Sequence, residues 1–189
     1  MIDNLELWNK VEKTNPKYTK KANVGGNNIT SIAPQFQIMN VTEQFGVYGE
    51  KWGFKEINLD YTLSVSHGLV IFKAVFFFPK GEFPIVNAIS LFMDNAKTKI
   101  DDNFAKKVET DSLTKAISKL GFNADIFLGK FDDQRYLDEV TKEFTPKETI
   151  DNVRFEKALE KIKDGSYTVE KLKATFELTE LQNKSLMLL

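Results

Sequence analysis

Polar and apolar residues alternate most clearly between residues 56 and 66. The apolar side chains at every second position there are Ile57, Leu59, Tyr61, Leu63 and Val65. This period of two predicts a strand with one buried face. His67 and Gly68 predict a tight turn. The run LVIFKAVFFFP (69–79) is apolar on both faces, as expected of a central or doubly covered strand. Residues 83–92 predict either a third strand or a helix that begins near Val86.

Periods of three to four residues predict helices elsewhere. Residues 3–14 form the first candidate, and residues 34–45 form a second, with Pro34 in its first turn and a glycine at its end. The segment YTKKANVGGNNITS (18–31) between them predicts a loop. A longer helix is predicted from about residue 102 to residue 120, followed by Gly121 as its C-cap.

The composition becomes charged and helical after Tyr136. Thr145-Pro-Lys-Glu148 predicts a capping box at the start of a helix, and two shorter helices are expected near Thr168 and Thr179. We therefore expect two parts. Residues 1–140 form an ordered core, and residues 145–189 form a small helical hairpin.

Composition narrows the possible chemistry. The 189 residues contain no cysteine, which excludes disulfides, thiolate nucleophiles and cysteine-based zinc sites, and the one histidine is His67. The first residues lack the apolar stretch of a signal peptide, and the longest apolar run is interrupted by Lys73. These features predict an intracellular, cytoplasmic globular protein. The net charge of −1 argues against a surface that binds nucleic acid everywhere.

Lysines are concentrated in two places. Five lie between Lys10 and Lys21, and Lys107, Lys115 and Lys119 share the polar side of the long predicted helix. Each set of lysines, taken alone, is interpreted as part of an ordinary solvent-exposed surface. Together they predict a groove in which phosphates replace counterions, so that affinity falls steeply with salt. The aromatic residues that are candidates to stack with bases, or to belong to the core instead, are Phe36, Tyr48, Trp52 and Phe54.

Other motifs give little support for catalysis. Gly129-Lys130 is followed by phenylalanine rather than serine or threonine, so it is not a phosphate-binding loop. The pairs Asp101-Asp102 and Asp132-Asp133 are interpreted as solvated or capping acids rather than metal ligands, because adjacent side chains do not converge. We predict no catalytic residue, no metal site and no cofactor.

Two stretches together resemble a known family. They are FQIMNVTEQFGVYGEKWGF (36–54) and AKKVETDSLTKAISKLGFNADIFLGKFDD (105–133). Their order resembles the Rad fifty-two superfamily. It consists of a helix ending in E-x-F-G, a tryptophan that opens a strand, a long hairpin and then T-D-x-L-x-x-A-x-x-x-x-G. Thr19 to Ile32 and Leu120 to Asp133 are most similar to the phage members of that superfamily, the Sak-type single-strand annealing proteins. The resemblance covers about residues 8–136.

The resemblance implies an α+β core in which a three-to-four-stranded antiparallel sheet packs on a long helix. It also implies a homo-oligomeric ring or helical filament that binds single-stranded DNA and anneals complementary strands without ATP, as a phage recombination and repair protein in the host cytoplasm. The family's DNA-contacting helix maps onto Thr114, Lys115, Ser118 and Lys119. No basic residue stands at a second family contact, near Gln35 and Gln37, and Lys20 and Lys21 are expected to compensate.

The C-terminal part is expected to bind a partner, such as a single-stranded-DNA-binding protein, or to regulate assembly. No membrane contact is expected. Two alternatives from other classes stay open at this point. One is a metal-dependent nuclease that uses Asp132 and Asp133. The other is a ring-forming scaffold with no role in nucleic-acid binding.

Overall fold

A computed structural model describes residues 4–24 and 26–187 of the chain. The protein is α+β, as predicted. It divides into two compact units, Met1–Thr141 and Lys142–Leu189. The sequence placed the two parts at 1–140 and 145–189, and the roles given to them stay predictions. No helix among the described residues is long and apolar enough to cross a lipid bilayer.

The first unit combines short helices with five strands. Its elements in chain order are α1 (Glu6–Val11), β1 (Thr19–Val24), β2 (Asn27–Ile32), α2 (Pro34–Phe45), β3 (Gly53–Asp60), α3 (Ser64–His67), β4 (Leu69–Phe78), β5 (Gly81–Ser90), α4 (Phe104–Ser118), α5 (Ala124–Phe127) and the beginning of α6 (Gln134–Phe144). Strands β3, β4 and β5 form an antiparallel sheet in that order. The prediction that residues 69–79 form the central strand is confirmed, and residues 83–92 give a strand rather than a helix.

One face of this sheet carries the main hydrophobic core. Phe72, Ala74 and Phe76 alternate along β4 and pack with buried residues of α4, including Ala116 and Ile117. Phe76 is fully buried, and burying a side chain of that size contributes about 1.5–3 kcal/mol to the stability of the fold. The long helix therefore packs on the sheet as predicted.

The prediction of one continuous strand over residues 56–66 is wrong. Strand β3 ends at Asp60, whose carboxylate accepts hydrogen bonds from the backbone and hydroxyl of Thr62 and so starts a turn. The pairing with β4 also shifts between Lys55 and Asn58, and Glu56 adopts a φ of +55°. This bulge interrupts the alternation. As a result, three side chains predicted to be buried are exposed, namely those of Ile57, Tyr61 and Val65.

The opposite face of the three-stranded sheet is mostly apolar. Ile71, Val75 and Phe77 of β4 lie on it half-buried, beside Val86 of β5, which is 68% exposed. The exposed Lys73 of β4 lies on the same face, directly opposite Val86, and forms a salt bridge with Asp60. Apart from Lys73, the central strand is therefore apolar on both faces, but only the face toward α4 is fully covered. Pro84 in β5 and the bulge in β3 interrupt the two outer edges of the sheet.

Strands β1 and β2 form a separate antiparallel ribbon where the sequence predicted a loop. Its side chains are mainly polar and exposed, so the hydrophobic alternation that marks a half-buried strand is missing. The side-chain amide of Asn23 donates to Asn28 across the turn, and its oxygen accepts from the backbone of Gly26. Gly25, the other predicted turn glycine, lies outside the described residues.

Helix α1 is shorter than the predicted 3–14, and Asp3 lies outside the described residues. The segment after it is held by a buried polar cluster. The carboxylate of Asp125 accepts hydrogen bonds from the backbone N–H of Thr14 at 2.7 Å, from the Thr14 hydroxyl at 2.6 Å and from the Tyr136 hydroxyl at 2.9 Å. Because Thr14 turns inward to this carboxylate, the helix ends before it.

The prediction of Gly121 as the C-cap of α4 is wrong, because the helix ends at Ser118 and Lys119 is its C-cap. Gly121 lies two residues farther on, with a φ of +95°. A Cβ atom at this position would lie 2.7 Å from Cδ2 of Trp8. Only glycine combines this backbone conformation with so close an approach to the indole.

Within its described residues, the second unit contains a helix followed by two shorter helices, as predicted, and in addition a short parallel ladder that was not predicted. After the end of α6 its elements are β6 (Glu148–Thr149), α7 (Asn152–Lys163), α8 (Val169–Thr175), β7 (Phe176–Glu177) and α9 (Glu180–Leu186). The predicted helix starts at Thr168 and Thr179 are confirmed as N-caps. The predicted capping box at 145–148 is wrong. Asp151 caps α7 instead, and this lets Ile150 enter the unit's small core.

Candidate nucleic-acid interface

A groove of about 550 Å³ runs between strand β2 and helix α4. Residues 29–32 of β2 form one wall. The other wall is built from α4, and its polar lining residues are Lys106, Lys107, Thr110, Asp111 and Thr114. Among the described residues, strand β2 pairs only with β1, so no other described strand pairs with the backbone groups on its second edge. The groove thus joins two segments that are more than seventy residues apart.

Lys106 and Lys107 supply the positive charge of the groove. The ammonium of Lys107 lies 2.6 Å from Oδ2 of Asp101, just before α4. The hydrogen bond from Lys107 is the main cause that holds the pKa of Asp101 below its usual range, against the opposing effect of desolvation. A phosphate that approaches Lys107 must therefore compete with a carboxylate, whereas Lys106 forms no salt bridge with the described residues.

Asp111 reduces the net charge of the groove. Desolvation tends to raise its pKa, but hydrogen bonds from Lys115 and Asn87 outweigh it, so the pKa lies below the usual value. Two lysines and one ionised aspartate leave a single net positive charge on the groove lining of each chain, 2 − 1 = +1. One chain alone therefore offers a phosphate backbone little electrostatic attraction.

Gln37 and Thr114 lie between α2 and α4 and line the same groove. The Thr114 hydroxyl donates to Oε1 of Gln37 at 2.9 Å, and Nε2 of Gln37 has no hydrogen-bond partner among the described residues. Gln37 is only 2% exposed, so its free amide group is a buried donor. An unpaired buried donor costs about 1–3 kcal/mol, which is a reason to expect a ligand acceptor here.

A second cavity of about 280 Å³ continues the groove along the ribbon. Ile29, Thr30 and Phe127 line both cavities, and Phe127 is 51% exposed. Its ring is an exposed aromatic surface beside the lysines, which is the arrangement that base stacking requires. At this end Lys21 donates to the Thr30 hydroxyl at 2.9 Å and lies 3.4 Å from Asp132.

The structure separates the lysines that the sequence grouped. Lys20 and Lys21 are neighbours on β1, so their side chains project to opposite faces of the ribbon. Lys115 follows Lys107 by eight residues, which at about 100° per residue places it roughly 80° farther around the helix. Lys115 lies 2.9 Å from Asp111 of the groove lining and also contacts Asn87 of β5. Lys119 lies 5.4 Å from the ring centroid of Phe83 on the same strand. The expected single lysine face therefore extends from the groove at Lys107, past its margin at Lys115, to strand β5 at Lys119.

Of the remaining predicted contact residues, Thr114 lies in the groove and Ser118 does not line it. The Ser118 hydroxyl donates to the backbone oxygen of Lys115 within the helix. Lys21, Lys107, Thr114 and Lys115 are thus the predicted residues that the structure places in or beside the groove.

Three of the four candidate stacking residues belong to the core or pack against it, which corrects that prediction for Trp52, Phe36 and Phe54. Trp52 is fully buried, and its indole N–H donates to the backbone oxygen of Gly46 at 2.9 Å. Phe36 is 8% exposed and stacks on Tyr18 with ring centroids 4.1 Å apart. Tyr48 keeps an exposed edge, and burial is the main cause that raises its pKa, with the charge of Glu109 adding to the effect.

Asp132 and Asp133 each have a partner within the first unit. Asp132 pairs with Lys21, and Asp133 accepts from the backbone N–H of Arg135 at the start of α6. Within residues 4–24 and 26–187, no group of three or more His, Cys, Asp or Glu side chains is placed to hold a metal ion.

The sequence missed Lys106 and Phe127 as groove residues, and it marked Gln37 only through the family resemblance, as a contact position without a basic residue. The two adjacent lysines at positions 106 and 107 could have indicated Lys106. No local signal marks Phe127, because the groove exists only once the ribbon at residues 19–32 is recognised as β-structure.

The amino-acid sequence matches no known protein-family model, and no curated protein is significantly similar to it. The resemblance to the single-strand annealing proteins therefore stays a prediction from two motifs.

Proposed function

We propose that this protein binds single-stranded DNA in the groove between β2 and α4 and anneals complementary strands as a homo-oligomer, without ATP. The observation that carries the proposal is the co-location of Lys106, Lys107 and the exposed ring of Phe127 in one open groove. The motifs at 36–54 and 105–133 support the same function, because both contribute residues to this groove.

The mechanism is physical rather than covalent. Lys106 and Lys107 hold phosphates and release counterions, and the ring of Phe127 stacks with an unpaired base. The amide of Gln37 offers a donor at the groove floor. A strand held along its backbone keeps its base edges open to a second strand. The pairing and stacking energy of about 1.4 kcal/mol per base-pair step then drives annealing.

Self-association follows from two features of the chain. One net charge per groove gives weak binding to a single subunit, so a useful affinity needs several linked grooves that act on one strand. The mostly apolar sheet face with Ile71, Val75, Phe77 and the exposed Val86 supplies a surface for a second copy, in which the Lys73–Asp60 salt bridge adds a polar contact. We assign the ring or filament contact to this face.

The second unit is proposed to bind a protein partner, in keeping with its equal numbers of basic and acidic residues and its lack of a general positive charge. The test of this role compares the full chain with a chain that ends at residue 145. If its oligomer size and its partner binding equal those of the full chain, the role is wrong.

The test combines three readouts on the purified chain at low salt. Fluorescence quenching follows the pairing of two complementary oligonucleotides without ATP, electron microscopy shows the assembly, and gel electrophoresis with magnesium or manganese shows whether DNA is cut. We expect faster pairing, rings or filaments, and intact DNA. A chain that stays monomeric and does not bind oligonucleotides, or one that degrades them, would overturn the proposal.

A further inference from the structure

The second unit contains its own small pocket, of about 230 Å³. Its lining residues are Ile150, Arg154, Lys157, Ala158, Lys161, Tyr167, Leu172 and Phe176. Sites for small organic ligands usually measure about 300–1,000 Å³. This pocket is smaller, and its size suits one large amino-acid side chain better than a cofactor.

The interior of the pocket is apolar. Leu172 is fully buried and Ile150 is 6% exposed, so both belong to the core that underlies the pocket. Tyr167 and Phe176 are half-buried and leave part of each ring accessible. An aromatic or branched aliphatic side chain that enters this space would exchange water for carbon contacts on several sides.

The rim of the pocket is basic. Arg154, Lys157 and Lys161 are separated by three and four residues on α7, so they share one face of the helix. The Arg154 guanidinium lies over the ring of Phe176, 5.0 Å from its centroid, and 3.6 Å from Glu148. Within the described residues, neither Lys157 nor Lys161 forms a hydrogen bond or a salt bridge through its ammonium group.

This local charge differs from that of the whole unit. Residues 142–189 contain nine basic and nine acidic residues, a net charge of 9 − 9 = 0. Three cations around one apolar opening are therefore a concentrated feature of an otherwise neutral unit. Charge complementarity calls for carboxylates on the ligand next to the side chain that enters the pocket.

We propose that this pocket binds an acidic peptide segment of a partner protein, with one aromatic or branched apolar side chain in the pocket and carboxylates on Arg154, Lys157 and Lys161. A peptide fits better than a nucleic acid, because stacking bases need an open aromatic face whereas the two aromatic residues of this small recess, Tyr167 and Phe176, are half-buried. The inference deepens the partner-binding part of the proposed function and does not depend on strand annealing.

The test uses the full chain and a fluorescein-labelled hexapeptide, Asp-Asp-Glu-Asp-Gly-Phe, in fluorescence anisotropy at low ionic strength. A second peptide with serine in place of phenylalanine probes the apolar pocket. We expect the serine peptide to bind about tenfold more weakly or worse, because one buried aromatic anchor contributes most of the energy in such small sites.

The protein side of the test uses charge reversal. The double variant Lys157→Glu/Lys161→Glu should lose about tenfold or more in affinity for the phenylalanine peptide, since it places like charges opposite the ligand. The matched control is Lys163→Glu/Lys184→Glu, which has the same change in net charge at exposed positions outside the pocket. The control should change the affinity less than twofold, and circular dichroism checks that both variants fold.

Several results would overturn the proposal. These are no binding of the phenylalanine peptide to the unaltered chain, equal binding of the two peptides, and equal losses in the two variants. A single-stranded oligonucleotide that loses affinity in the Lys157→Glu/Lys161→Glu variant, while the peptide does not, would assign the site to nucleic acid instead. Annealing measured on the same variant separates this question from the proposed function, because annealing is expected to stay unchanged.

Discussion

Replacement of both groove lysines by glutamine gives the sharpest test of the DNA-binding site. Lys106→Gln/Lys107→Gln removes two positive charges from the lining of the groove and leaves side chains of similar length. Both positions are exposed on α4, but Lys107 also pairs with the buried carboxylate of Asp101, so circular dichroism checks that the helix is intact in the variant. We expect weaker binding of single-stranded DNA and, more specifically, a weaker dependence of that binding on salt.

The magnitude follows from counterion release. Each neutralised phosphate of a single strand contributes about 0.7 to the slope of log affinity against log salt concentration, so loss of two contacts lowers the slope by about 1.4. Between about 50 and 200 mM salt, the affinity of the original chain should fall about sevenfold further than that of the variant. Lys107 already holds Asp101, so Lys107→Gln alone should lower the slope less than Lys106→Gln alone.

The assay is fluorescence anisotropy of a labelled oligothymidine of roughly ten nucleotides, within the usual range of compact single-strand sites. The matched control is Lys80→Gln/Lys119→Gln, which removes the same charge from positions outside the groove. An unchanged slope in the groove variant, or an equal decrease in the control, would refute the assignment of DNA binding to this groove.

Three further variants test other parts of the structure. Gly121→Ala should lower the free energy of unfolding by about 2–4 kcal/mol in urea titrations, because the new methyl group overlaps a tryptophan ring at a positive φ. Gly49→Ala, with a positive φ but open space, should cost only about 1–2 kcal/mol, and equal losses would contradict the steric explanation. Val86→Glu should reduce the oligomer mass measured by light scattering, whereas Val65→Glu, exposed outside the apolar sheet face, should not; if neither changes the mass, that face is not the interface. Asp101→Asn should tighten single-stranded DNA binding about two- to fivefold by freeing its lysine partner. The hydrogen bond from that lysine holds the pKa of the Asp101 carboxyl below its usual value of about 3.9, so the increase in DNA affinity should be constant from about pH 5 to 8. Weaker DNA binding by the variant would contradict the idea that Asp101 competes with phosphate for Lys107.

Much of the helical structure could be predicted from local signals. Pro34 and the glycine after α2 mark the ends of that helix, and the threonines that precede α8 and α9 both act as N-caps. The doubly apolar run in β4 indicated the central strand of the sheet. In each case the signal and the structure it determines lie within a few residues of each other.

The groove itself could not be predicted in this way. Residues 18–31 show no hydrophobic alternation, so nothing in them distinguishes a ribbon from a loop, and the wall opposite is formed by α4 far along the chain. The bulge in β3 could not be predicted from the local pattern either. It is decided by pairing with β4, and it exposes Ile57 although the local pattern predicted its burial.

The sequence by itself determined where most helices lie, the central strand and the supply of lysines, because caps, turns and hydrophobic periods act over short distances. Only the tertiary structure decided which lysines share a groove and which aromatic ring stays exposed. Those outcomes depend on strand pairing and on the rotation of α4 against the sheet, which residues distant in the chain set together.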